Sequence, residues 1–125
     1  MANVKYVRIH ADSSGETHFE DVTIASTLLD YAPPAPPLHL SAVMPTTGWA
    51  LITFPAGWDG DWHPAPRRHF SLSLNGELAV ETSDGETRHF GPGSVVLVVD
   101  ITGRGHHTLV VSDSDVLSAA VYLPD

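Results

Sequence analysis

Eight histidines (His10, His18, His39, His63, His69, His89, His106 and His107) and no cysteine occur in this chain. Metal chemistry would therefore run on imidazole, carboxylate or water rather than thiolate. Two histidines stand in segment 57–76, GWDGDWHPAPRRHFSLSLNG: five residues separate Gly57 from His63, five separate His63 from His69, and six separate His69 from Gly76. A third, His106, follows Gly103-Arg104-Gly105. Side chains on a strand alternate faces with period two. If His69 points inward, Ser71 and Ser73 follow it, while Phe70, Leu72 and Leu74 pack on the other side. The same alternation groups His106, Thr108 and Val110 on one face and His107, Leu109 and Val111 on the opposite one. A frame slip of one residue would instead hand the inward role to His107. Three neutral imidazoles at one point make a facial set of nitrogen ligands for one divalent ion (Fe, Mn, Ni or Zn), with positions left open for water, substrate or dioxygen.

Other residues can line or support such a site. Trp58 is a candidate cavity wall, whereas Trp62, next to His63, should point away. Asp61 and Asp100 flank the histidine segments and could each orient an imidazole through its second nitrogen; His107 would stand behind the site or at the surface. Arg67-Arg68 is the only basic pair, either a solvated corner or an anchor for an anionic substrate at a cavity mouth. Six basic against fifteen acidic residues give a net charge of −9, which repels a phosphate backbone and argues against nucleic acid as a partner. No nucleophile elbow, phosphate-cradling glycine loop or His-Glu-x-x-His helix is present. Nothing in the spacing of Ser71, His63 and Asp61 demands a relay among them.

The elements that must hold these groups are short strands. At 125 residues and 42% apolar content the chain provides about one domain's core. Strands are expected at 4–9, 18–24 and 49–54, then 70–74, 78–82, 87–90, 94–99, 107–111 and 116–123. Asn75-Gly76 and Asp84-Gly85 supply the positive backbone angles of tight hairpins, and Gly91-Pro92-Gly93 turns the chain into a buried strand. Residues 32–38, APPAPPL, cannot donate to a ladder or continue a helix and are expected to strap across the barrel. About nine strands with almost no helical periodicity indicate a sandwich or barrel. The domain plan is N-terminal strands over 1–31, the proline-rich loop, and a barrel core over 48–123.

Segment 57–76 resembles the first motif of the cupin family. Gly57, His63, Ala65, His69 and Gly76 fall at its marked positions, with alanine where a second histidine is usual and His69 where a glutamate is usual. Gly103-Arg104-Gly105-His106 resembles the end of the second motif, with Ile101 in place of its proline and Val110 in place of its final asparagine. The resemblance spans roughly residues 57–111. It implies a single-domain, all-β, jelly-roll barrel of the small cupin type, with His63, His69 and His106 as ligands of one metal ion. A possible homodimer through sheet edges is also implied.

The expected function is a metal-dependent enzyme for a small, mostly apolar or anionic molecule: an oxygenase, otherwise an isomerase or lyase. The alternative is a metal-free barrel that binds or senses a small molecule. Arg67, Ser71, Ser73, Trp58 and Thr108 would contact the ligand. No run of 18 apolar residues offers a membrane span, and the N-terminus lacks the plan of a signal peptide, so a cytoplasmic location is expected.

Overall fold

A computed structural model describes residues 2–125, and these form twelve strands and no helix. In chain order they are β1 (Asn3–Ala11), β2 (Thr17–Ala25), β3 (Thr27–Leu29), β4 (Leu38–Leu40), β5 (Gly48–Phe54), β6 (Asp59–His63), β7 (His69–Ser73), β8 (Leu78–Thr82), β9 (Thr87–Phe90), β10 (Val95–Val98), β11 (His106–Val110) and β12 (Val116–Tyr122). One sheet has the order β2-β1-β10-β7-β12-β5, the facing sheet β6-β11-β8-β9. Among the described residues only β1 and β10 pair in parallel.

The period-two pattern decides what lies between the sheets. Ile9, Phe19, Val96 and Val98 from the first sheet pack on Val80 and Phe90 from the second, with Ala65 among them. A second cluster, Leu78, Val110 and Val116, gathers Phe54 and Trp58. Ile9 and Val116 are fully buried, each contributing about 1.5–3 kcal/mol to holding the layers together. Gly76 turns β7 into β8 at φ +70, and its hydrogen faces the Val116 side chain, where a Cβ would come within 2.7 Å. Asn75 completes that turn by accepting the Leu117 amide at 2.6 Å.

All nine expected strands are present, with ends shifted by two residues at most. Three others were not anticipated: β3, β4 and β6. The proline-rich segment does not strap the barrel. Thr27–Leu29 pairs with Leu38–Leu40 as a separate two-stranded arm, and the proline segment is its exposed tip. The prolines lack amides to join a sheet, and the flanking triplets pair with each other instead.

Candidate functional site

A cavity of about 230 Å³ lies between the two apolar clusters. Its walls include Ile9, Ile52, Phe54, Val80, Phe90 and Val96; its polar groups are His63, His69, His106, Ser71, Ser73 and Thr108. The alternation read from the sequence places five of these six polar side chains inward, all but His63. β7 contributes His69, Ser71 and Ser73 from one sheet, while β11 contributes His106 and Thr108 from the other.

His63 ends β6 directly opposite His106 on β11. Their rings lie 5.1 Å apart between centroids. Gly105 makes this approach possible: it has φ +76, and a Cβ there would overlap the His63 carbonyl and the Pro64 nitrogen. Beyond the pair, the β6–β11 register shifts between His107 and Leu109, and Asp61 takes φ 55. Left-handed backbone of this kind is uncommon outside glycine, and Asp and Asn tolerate it best.

Each of the three imidazoles has its Nδ1 committed. His63 Nδ1 lies 3.0 Å from the carbonyl oxygens of both Gly60 and Asp61. His69 Nδ1 lies 2.8 Å from the Arg67 carbonyl, and His106 Nδ1 lies 2.7 Å from Asp100 Oδ2. A carbonyl oxygen can only accept, so Nδ1 carries the proton in His63 and His69, and the carboxylate favours the same in His106. The Nε2 atoms, which have no protein partner among the described residues, are left as lone pairs. Burial is the main influence on His69 and pushes its pKa below the usual histidine value. A charge on His106 acts in the same direction, while the Arg67 carbonyl and Asp100 oppose it.

Asp100 is fully buried, and its Oδ1 has no hydrogen-bond partner. A buried carboxylate held by one imidazole is under-compensated and calls for positive charge nearby. A proton on His106 or a cation at its Nε2 would supply it. The donor chemistry thus suits a divalent ion, but the spacing is only partly closed. His63 and His106 are paired and His69 projects from the opposite sheet. Among the described residues no three His, Asp or Glu side chains converge closely enough to enclose an ion. Ala65, at the position where the motif resemblance has a second histidine, is packed into the core and donates its amide to the Asp100 carbonyl at 2.9 Å.

Trp58 lines the cavity, meeting Phe54 edge-on at 5.1 Å and covering the bare Cα of Gly60. Ser118 donates to the Leu72 carbonyl at 3.1 Å, so the 3.0 Å contact with Ser71 is a donation from Ser71. The hydroxyls of Ser73 and Thr108 remain unspent among the described residues. Arg67 is exposed, with its guanidinium 4.1 Å above the ring of Tyr122, itself a cavity residue.

The orienting role expected of Asp61 is not formed, and of the two places expected for His107 the structure takes the surface one. The Asp61 carboxylate turns back to accept the Trp62 amide at 2.9 Å, and only its backbone carbonyl meets His63. His107 faces outward, 2.6 Å from Asp59 and beside Trp62, away from the cavity. Tyr122, Ser118 and Ala120 were not singled out in the sequence, although alternation from Val116 along β12 puts all three inward.

Both motif-like segments therefore end on facing strands at one cavity of a two-sheet, all-β jelly roll. The sheet order alone describes a two-sheet, all-β barrel around that cavity. No family model and no curated protein matches the chain. Among solved structures it is similar to the cupin domain of Cnp3 from Schizosaccharomyces pombe, at 13% identity and a TM-score of 0.48, over 98% of this chain and 83% of that one. It is also similar to protein NMB1881 from Neisseria meningitidis, at 16% identity and a TM-score of 0.44, over 61% of this chain and 72% of that one.

Proposed function

We propose that this barrel is a cupin-type, metal-dependent enzyme acting on a small, mostly apolar molecule with an anionic head, and that His63, His69 and His106 hold its single divalent ion. One observation carries the reading: all three imidazoles have Nδ1 engaged, which leaves each Nε2 lone pair for a cation. Fe, Mn, Ni or Zn on such ligands supplies Lewis-acid polarisation or, for a redox metal, reaction with dioxygen, so an oxygenase is the first reading and an isomerase or lyase the second. Asp100 fixes the His106 tautomer and contributes the buried negative charge that a cation offsets. The aliphatic and aromatic walls exclude water, Ser73 and Thr108 offer hydroxyls to a polar substituent, and Arg67 attracts an anion to the rim.

A metal-free binding barrel is the second reading, favoured by Ala65 and by the lack of three converged ligands. Elemental analysis of untagged protein beside His63→Ala and His106→Ala separates the two. Near one metal per chain, lost in both variants, supports the enzyme. No metal after reconstitution with each of the four ions overturns it and leaves the binder.

A further inference from the structure

The end of the barrel that carries His106 is held by two turns, one from each sheet. In the β1–β2 turn, Asp12 Oδ1 accepts the Ser14 amide at 2.9 Å, the Ser14 hydroxyl at 2.7 Å and the Glu16 amide at 3.1 Å. In the β8–β9 turn, Asp84 Oδ1 accepts the Thr82 hydroxyl at 2.6 Å and the Glu86 amide at 3.1 Å. Each aspartate thus closes its own turn with one oxygen and directs the other at a single imidazole. His18 Nε2 lies 2.7 Å from Asp12 Oδ2, and His18 Nδ1 lies 3.0 Å from Asp84 Oδ2. A neutral imidazole has one N–H and one lone pair, so both contacts are donations only in the imidazolium. Loss of the proton sets a lone pair against a carboxylate at one of the two.

The stapled turns grip the loop that leads into His106. Arg104 donates its amide to the Gly15 carbonyl at 2.9 Å, and its guanidinium pairs with Glu16. Thr17, fully buried, donates its hydroxyl to the Gly105 carbonyl at 2.7 Å. Thr17 and Ser83 exchange amide-to-hydroxyl bonds of 2.8 Å in both directions, which ties the two turns together beside the loop. The backbones of Gly15 and Gly103 touch, so that a Cβ on Gly103 would come within 2.6 Å of the Gly15 carbonyl oxygen.

We propose that His18 is a protonation-dependent positioning residue for His106: when charged it locks the β1–β2 and β8–β9 turns around residues 103–105, and when neutral it releases them. The consequence for chemistry rests on the cavity being the functional site; the clasp itself does not. The groups facing His18 are Asp12 from its own turn, Asp84 from the facing sheet and His10 from β1, with rings 5.6 Å apart. Glu16 is taken by Arg104 and Glu86 by Arg88. The bond to Asp12 is the largest influence and raises the His18 pKa above 6.5, with Asp84 acting the same way and burial opposing. A raised folded-state value means that this contribution is complete below pH 6.5 and is lost as pH rises through the folded pKa.

The test uses metal-free protein, so its outcome does not depend on the metal reading. Ring NMR follows His18, and hydrogen exchange follows the Arg104 and His106 amides, expressed as protection factors to remove the intrinsic pH dependence. In the native protein, protection at both amides should fall by about tenfold as His18 deprotonates, while Val80 stays protected. His18→Gln should show the lowered protection at pH 5.5 and pH 8.5 alike, without a step, and Asp84→Asn should weaken the step. Protection that does not change across the His18 titration, or an equal step in His18→Gln, overturns the proposal. Metal affinity adds a signature of its own. Imidazole ligands alone bind better as pH rises, whereas release of the clasp turns that rise downward above the His18 pKa in the native protein and not in His18→Gln.

Discussion

Replacing Asp100 with asparagine asks whether positive charge resides at His106. The carboxylate is fully buried, with Oδ2 2.7 Å from His106 Nδ1 and Oδ1 unpartnered. Asparagine must turn its carbonyl to His106 to keep that bond, which places its NH2 where Oδ1 was, with nothing to accept from it. A bond to a charged group is worth about 1.5–3 kcal/mol against about 0.5–1.5 for a neutral one, and an unsatisfied buried donor costs about 1–3 kcal/mol. Together these give a loss of about 2–4 kcal/mol, or about 8–16 °C in Tm for a domain of this size. Relief from burying a carboxylate works in the opposite direction and would dominate if His106 were neutral and no cation stood nearby. Urea unfolding at pH 7 with saturating divalent ion measures the first quantity, and competition against a chromogenic chelator measures metal affinity, which should fall by about 10–100-fold. An Asp100→Asn protein as stable as the native one, or more stable, refutes the requirement for positive charge beside the carboxylate.

Gly105→Ala combines a left-handed backbone penalty of about 1–2 kcal/mol with overlap on the His63–Pro64 backbone. Gly85, at φ +93 with open space around it, is the control that carries the backbone penalty alone. Gly105→Ala should be the less stable of the two by urea unfolding, and only it should impair ligand or metal binding, by separating His63 from His106. Acid stability follows from the same turns that grip the loop. The bond from His18 is the main cause that holds Asp12 well below the usual carboxylate range, with Ser14 adding to it. Burial pushes Asp84 up, but the bonds from Thr82, Glu86 and His18 outweigh it. Depressed carboxylates contribute stability above about pH 3.8 that is lost as pH falls through their folded values. Tm should therefore drop more steeply below pH 3.8 in the native protein than in His18→Gln, and equal slopes would contradict the assignment.

Much of the barrel was legible because strand alternation is a local rule. With His69 inward, Ser71 and Ser73 follow it, and the same rule gives the inward set of β11. β6 was not legible. Trp58 and Trp62 share one parity with Asp59 and Asp61 on the other, but the left-handed Asp61 and the register shift put Trp58 in the cavity and Trp62 outside it, and Gly60 is needed because the Trp58 ring lies on it, a contact made in three dimensions. The orienting role of Asp61 misled for a related reason: the group that meets His63 is a backbone carbonyl, which any residue possesses. The Asp100 side chain does meet an imidazole, that of His106. Whether His69 closes on the other two imidazoles depends on the gap between sheets, and no spacing within one strand encodes that gap. The clasp at His18 joins positions far apart in the chain and leaves no linear signature.

The position of β12 has a kinetic consequence. This strand, the last of those described, lies inside the six-stranded sheet between β7 and β5, and β1 at the other end of the chain waits for β10 as its second neighbour. Neither half of that sheet can close from contacts between adjacent segments alone. Contact order is high, so folding belongs to the slow regime of non-local β topologies, in which loop-closure entropy is lost before pairing compensates it. As the chain leaves the ribosome, β5 has no sheet partner and β7 is open on one side until residues 116–122 arrive between them.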